Sequence, residues 1–394
     1  MERKVVCIML ITNAKIYTME ACGVIENGFI HVQDGKIAAV GPMADMPDLK
    51  EEEVIDVAGK NVFPGFVEAH CHVGVEDEGL NFEGNDGNEI TDPTTPTVRA
   101  LDSYYSLDRA CDDALYGGVT TVLTTPGSAN PIGGQMMTIK MGTSDDVEQK
   151  AIHTFNSMKF ALGENPKRCY NGRKQTPMTR MGSASVIREQ LEKARRYMIE
   201  KENAEKKGEK GPAYDAKCEA LIPVLKREVR AHFHCHRSDD IMTAIRIGKE
   251  FNLDQVIVHG TEGYLIADTL AKANVPVITG PYLSNRSKPE CTNLSPKNPA
   301  ILTQAGCLTA ICTDHPVIPI HYLPLCAGIA VKEGLDYMKA LECITINAAK
   351  IACVDDRVGS IKVGKDADLT IYDGDPLSVY AVPEAVFVDG KRVR

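Results

Sequence analysis

The chain has 394 residues, enough for one large domain and a smaller one. Apolar residues make up 43% and charged residues 25%, an ordinary globular composition. The net charge of −10 argues against nucleic-acid binding, which needs a basic face, and no run approaches the roughly 18 apolar residues that span a bilayer.

Val5 to Ile11 is apolar but short and runs at once into Thr12-Asn13, so it reads as a first strand rather than a secretory leader. Ile8 to Met19, Gly28 to Val32 and Lys36 to Val40 read as strands, with an Asp34-Gly35 hairpin turn between the last two. The other end of the chain has the same character. Ala367 to Tyr372 reads as a strand, and Ala385 to Val393 as a hairpin turning at Asp389-Gly390. Two short strand sets cannot bury separate cores, so both ends are expected to form one composite β-sandwich from residues 1–61 and 358–394.

Between these ends, strand and helix patterns alternate. The apolar run before His70 is followed by strand patterns at Val119–Thr125, Gln135–Met141, Phe155–Ala161, Val229–His236, Gln255–His259, Val275–Thr279 and Leu308–Cys312. Helical patterns fall at Leu107–Leu115, Asp240–Glu250, Tyr264–Ala273 and Ala340–Ile351. Eight strand-then-helix units in about 300 residues predict an α/β fold, a (β/α)8 TIM barrel over residues 62–357. A doubly wound sheet is disfavoured because no glycine-rich phosphate turn follows the first strand. Residues 165–228 break the spacing as a helical insertion, with a strong helix pattern at Ser183–Lys206. An insertion after the fourth strand is expected either to cover the site as a lid or to be a solvated hairpin.

Residues 64–72 read PGFVEAHCH. On a strand, His70 and His72 share a face and Cys71 points away. Two same-facing imidazoles can grip one divalent ion. Downstream, VRAHFHCH ends at His236, QVIVH at His259, and LTAICTD at Asp314. Imidazole and carboxylate are ligands for zinc, manganese or iron, and in a barrel the strand C-terminal ends carry the active site. The thirteen cysteines are scattered and odd in number, with no C-x-x-C pair. They read as thiols of a reducing cytoplasm rather than a disulfide framework.

The runs PGFVEAHCH, GGVTTV (117–122), VHGTEG (258–263), TDHP (313–316), TINAAKI (345–351) and VGSIKVGKDADLTIYDGDP (358–376) together resemble the amidohydrolase superfamily. The likeness is to its imidazolonepropionase-related and prolidase-like branch, and it covers nearly the whole chain outside the insertion. The resemblance implies one or two divalent ions, zinc above manganese or iron, held by His70, His72, a fifth-strand His, His259 and Asp314. Register favours His234 as the fifth-strand ligand, with His236 nearer the rim and facing substrate, and His232 deeper and structural. A bridging ligand is implied at the fourth strand, where both Lys159, as a carboxylated lysine, and Glu164 stand as candidates.

The chemistry implied is cleavage of a C–N bond, in an amide, peptide or cyclic amide, by metal-bound hydroxide, with Asp314 as general base and then acid. Arg180 and Arg286 lie in rim segments and suggest a small anionic substrate, since a guanidinium takes a carboxylate bidentately. His315 is a further candidate substrate contact. A nucleobase deaminase on the same barrel is the alternative, although Arg237 stands where such enzymes place a glutamate after the fifth-strand histidine. A non-catalytic interaction protein is the remote alternative, since none of the ligand-type positions is lost. The expected partner is a small molecule in the cytoplasm, with homo-oligomerisation left open.

Overall fold

The computed structural model describes residues 8–48, 53–78, 81–142, 144 and 146–394, so Val5 to Cys7 of the expected first strand lie outside the described residues. Among the described residues, sixteen strands fall into two sheets. The first takes β1 (Ile8–Tyr17), β2 (Val24–Gln33), β3 (Lys36–Pro42), β4 (Glu53–Asp56) and β5 (Asn61–Pro64) from the start of the chain. It takes β14 (Leu369–Tyr372), β15 (Ala385–Val388) and β16 (Lys391–Arg392) from the end. The two sets join where β14 pairs antiparallel with β5, from Leu369 opposite Pro64 to Tyr372 opposite Asn61. Ile11, Ile16, Ile30, Val62, Leu369 and Phe387 bury one common apolar face. These strands belong to one connected sheet drawn from both termini.

The second sheet holds β6 (Phe66–Cys71), β7 (Val119–Thr124), β8 (Ile132–Lys140), β9 (Ala151–Ala161), β10 (Arg230–Cys235), β11 (Gln255–His259), β12 (Val277–Thr279) and β13 (Thr309–Ile311). Each strand pairs with its neighbour in sequence. β6 and β13, the two ends of this order, are brought together across a seam, where the His72 amide donates to the His315 carbonyl at 2.8 Å. The result is a nearly closed eight-stranded barrel.

One strand departs from the expected pattern. β8 runs antiparallel to both β7 and β9, whereas the other neighbours are parallel. No helix lies in residues 125–131 between β7 and β8. Seven residues are too few for a parallel crossover, which takes a dozen or more, so the chain turns back as a hairpin. The eight uniform strand-then-helix units of the expected barrel are therefore corrected at the third strand. Alternation of apolar residues reports that a strand exists, not which way it runs.

The two longer helices of the insertion are placed differently from a lid. The insertion's helices Glu164–Gly172, Arg180–Lys207 and Ala216–Leu225 lead from β9 to β10. Ala184, Ile187, Leu191, Ala194, Cys218 and Leu221 are buried with Phe160, Phe233, Ile241 and Ile245. The two longer helices thus thicken the outer helical layer over β9 and β10. The long helix starts earlier than its sequence pattern, because Thr179 caps it by accepting from the Gly182 amide at 3.0 Å. The helix expected over Ala340–Ile351 breaks into Tyr337–Cys343 and Ile346–Ile351.

The barrel and the composite sheet are pinned by one buried ammonium. Lys140, at the end of β8, is 3% exposed, and its Nζ lies 2.7 Å from Asp366, 3.0 Å from Asp368 and 2.5 Å from Asp389. Arg357 and Lys36 also pair with Asp366. The GKDADL turn is thereby explained: its two aspartates face a cation supplied by the barrel. Removing one partner of a buried ion group strands the others without compensation. Lys140→Met is expected to lower unfolding stability by about 3–5 kcal/mol, read as the shift in a urea unfolding curve.

Candidate metal centre

The ligand-type residues stand at or just past strand ends, and two of them are held in unusual backbone. His259 closes β11 at φ 70° and Asp314 follows β13 at φ 54°. Left-handed backbone disfavours residues other than glycine by about 1–3 kcal/mol, and it persists only where surroundings over-determine it. In both residues it turns a side chain off the regular strand alternation. The neighbouring glycines make room for this. Gly280 sits at φ 123°, where a Cβ would meet the Cys312 carbonyl oxygen at 2.5 Å, and its own carbonyl receives the His259 Nδ1 proton at 2.9 Å.

Two groups of donor atoms result, each with its atoms within 4.8 Å of one another: His70, His72 and Asp314, and His234, His236 and His259. They are contiguous. Asp314 Oδ1 lies 3.3 Å from His70 Nε2 and 3.6 Å from His72 Nε2, while Oδ2 lies 3.9 Å from His259 Nε2. The rings of His236 and His259 stack at 4.6 Å. Each group could hold a cation, with Asp314 reaching toward both.

The outer nitrogens fix the rings. His72 Nδ1 donates to the Thr125 carbonyl at 2.7 Å, and His236 Nδ1 is hydrogen-bonded to Thr261 Oγ1 at 2.7 Å. The carbonyl acceptors of Thr125 and Gly280 take the Nδ1 protons of His72 and His259 and so turn Nε2 of each inward. His259 Nε2 is buried and has no hydrogen-bond partner among the described residues. A buried acceptor left unmade is costly unless something else occupies it, and a divalent cation fits this set of imidazoles and carboxylate.

Burial holds the imidazoles of His70, His234 and His236 well below the usual histidine range, and that of His259 at about 4. They are neutral at pH 7 and free to ligate. Burial alone would raise Asp314, but His259, His70 and His72 outweigh it and hold the carboxylate ionised.

The two bridging candidates part company. Lys159 is fully buried on β9 with its Nζ 3.2 Å from His70 Nε2, and burial pulls its pKa down to about 8. Gly133 on the facing β8 makes that packing fit, since a Cβ there would lie 3.2 Å from Lys159 Cγ. Glu164 starts a helix, and its carboxylate pairs with Arg168, outside both groups.

The rim arginines expected to meet substrate are engaged elsewhere. Arg180 Nε donates to Asp240 at 2.9 Å, and Arg286 donates to the Thr292 and Leu294 carbonyls at 3.0 and 3.2 Å. His315 is buried beside Asp314, with its Nε2 3.8 Å from Glu78, and belongs to neither group. His232 lies deeper, 3.3 Å from Ser157 Oγ.

Sequence reading missed several neighbours. Lys288 places its Nζ 3.5 Å from His236 Nε2, 3.2 Å from Asn165 Oδ1 and 3.4 Å from Glu290 Oε1. Asn165 Nδ2 lies 3.4 Å from His234 Nε2. Lys288 and Glu290 sit after β12 at a single 3-10 turn, Pro289–Cys291, too short for any periodicity to mark them. Glu68 was legible in principle, since it shares strand parity with His70 and His72.

A barrel whose strand ends gather five imidazoles and a carboxylate defines a class, the hydrolases that act on carbon–nitrogen bonds and generally bind divalent metal. This chain belongs to the amidohydrolase family, whose model matches residues 61–393. A crystal structure of an amidohydrolase from Thermotoga maritima MSB8 is 43% identical and superposes with a TM-score of 0.94, covering 98% of this chain and 99% of that one. The amidohydrolase tasK of Hapsidospora irregularis is 30% identical over 93% of this chain, and the match spans 39% of that protein's length. An imidazolonepropionase of Geobacillus sp. strain WCH70 is 26% identical, covering 90% of this chain and 86% of that protein.

Zinc added to metal-free protein should raise the Tm. At a hundredfold excess over Kd, one site contributes about 2.7 kcal/mol. His259→Ala should lose most of that rise, as read by differential scanning calorimetry with and without zinc.

Proposed function

We propose that the protein cleaves the C–N bond of an amide, peptide or cyclic amide in a small anionic substrate, using a divalent ion, zinc in the first place, held by His70, His72, His234 or His236, His259 and Asp314. The observation that carries this reading is the convergence of the two donor groups on one ionised carboxylate, Asp314. A bound ion would polarise the scissile carbonyl and lower the pKa of the attacking water. Asp314 accepts the water proton as oxygen adds to the carbonyl carbon, then returns it to the nitrogen as the C–N bond breaks. Lys159 is the better placed bridging residue, because its amine is at the histidines and Glu164 is not. Its Nζ would add to carbon dioxide and lose a proton, giving a carbamate. In this reading the sheet from both termini serves as the family's composite β-sandwich, with boundaries near residues 61 and 358, and the protein works in the cytoplasm.

The anionic end of the substrate falls to Lys288 rather than to Arg180 or Arg286. Its ammonium stands 3.5 Å from a candidate ligand and is partly open to solvent, while both arginines are engaged away from the histidines. The deaminase alternative gains no support at its own position, where Arg237 stands in place of a glutamate and is turned to Asp239 at 3.0 Å.

A screen of the metal-reconstituted enzyme over dipeptides, N-acyl amino acids, hydantoins, imidazolonepropionate and nucleobases tests the assignment. Hydrolysis within the amide classes is expected. Ammonia release from a nucleobase alone would sink it. Asp314→Asn should fold and yet lower kcat by roughly 10²–10⁴-fold on the substrate found, measured by steady-state kinetics. Lys288→Met should raise KM for the carboxylate-bearing substrate and leave KM for its methyl ester unchanged.

A further inference from the structure

The seam between β6 and β13 has to be held to sub-ångström tolerance, because His70 and His72 stand on one side and Asp314 on the other. Ladder hydrogen bonds link every other neighbouring pair around the barrel, but the strand order ends at these two. Two links cross the seam close to the site. One is the His72 amide to the His315 carbonyl at 2.8 Å. The other is Glu68.

Glu68 is 0% exposed and uses both carboxylate oxygens. Oε1 accepts from the backbone amide of His70 at 3.0 Å. Oε2 accepts from both the amide and the hydroxyl of Thr313, each at 2.7 Å. Thr313 Oγ1 in turn accepts from the His315 amide at 3.3 Å. One carboxylate therefore holds the amide of a candidate ligand on β6 and the residue preceding Asp314, and the hydroxyl it binds holds the residue following Asp314. Asp314 sits between these two anchors in left-handed backbone. That conformation needs surrounding contacts to hold it. A glutamate side chain has two oxygens and the reach to meet all three donors at once.

We propose that Glu68 is a positioning residue: it sets the distance between His70 and Asp314 and with it the geometry of the metal they would share. Glu68 lies outside both donor groups, with its oxygens turned to the three donors. The inference rests on the metal reading above.

The test is metal affinity and metal geometry, not turnover. Zinc affinity of the full-length protein would be measured by competition with a chromophoric chelator for wild type, Glu68→Gln, Glu68→Asp and Thr313→Val. The visible absorption of the cobalt(II)-loaded proteins would be recorded alongside. Glu68→Gln puts an NH2 donor against a ring of donors. It is expected to weaken zinc binding by about 10–100-fold and to change the shape of the cobalt spectrum. Thr313→Val keeps the carboxylate and the Thr313 amide bond and should weaken binding by a smaller factor. Glu68→Asp should restore part of the loss.

Wild-type affinity and spectrum in both Glu68→Gln and Thr313→Val would overturn the proposal. So would weaker binding with an unchanged cobalt spectrum, which marks a general loosening of the fold. If Glu68→Gln does not fold, Thr313→Val decides alone by the same two readouts. Wild-type protein that binds neither zinc nor cobalt would sink the metal reading itself, a result distinct from failure of the positioning role.

Discussion

Asp314 is the constraint on which the site depends. A single carboxylate faces His70 and His72 across the barrel seam and His259 on a strand two positions away in the sheet. Such a charge needs close partners: burial keeps His70 and His259 neutral, while at His72 the hydrogen bond to Asp314 outweighs burial and raises the imidazole. The orphaned His259 Nε2 is the acceptor that a cation here would occupy. The left-handed turns at His259 and Asp314, the close approach at Gly280 and the clip at Glu68 all act on that one convergence.

A second buried charge does a different task. Lys140 gathers Asp366, Asp368 and Asp389 at the junction of the barrel with the composite sheet. Burial favours neutral carboxyls, yet Arg357 and Lys140 overcome it at Asp366 and hold its pKa at about 2. At Asp368 burial wins, and its pKa stands at about 6. The charged turn therefore fixes the geometry between the two sheets more than it adds to stability, in line with the modest net worth of buried ion groups. The β7–β8 hairpin places Lys140 at this junction, because an antiparallel third strand ends at the opposite barrel face from its neighbours.

The donor groups and their charged neighbours sit on different kinds of structure here. The donor atoms are carried by strand ends, whose positions the sheet fixes. Lys288, Asn165 and Glu290 are carried by short turns and a helix start, and the Lys288 ammonium holds the other two side chains. Loops can vary without disturbing the sheet, which is how one barrel comes to serve many substrates.

Much of this was legible in the sequence. Strand alternation set His70 and His72 on one face, and short apolar runs ending in His259 and Asp314 marked their strand ends. The shared sheet of the two termini followed from strand patterns too small to bury a core alone. These features depend on local periodicity and burial, which a sequence carries directly. Other features did not show. Lys159 and Glu164 are five residues apart and chemically equivalent as candidates, and only the burial of one and the Arg168 partner of the other separated them. Arg180 and Arg286 looked free until Asp240 and the Thr292 and Leu294 carbonyls were seen to hold them. The direction of β8 and the neighbourhood of Lys288 likewise arise from contacts between segments far apart in the chain. Sequence determined which residues could ligate. Tertiary structure decided which of them meet, because a side chain's partner is set by the packing of distant elements and leaves no local pattern.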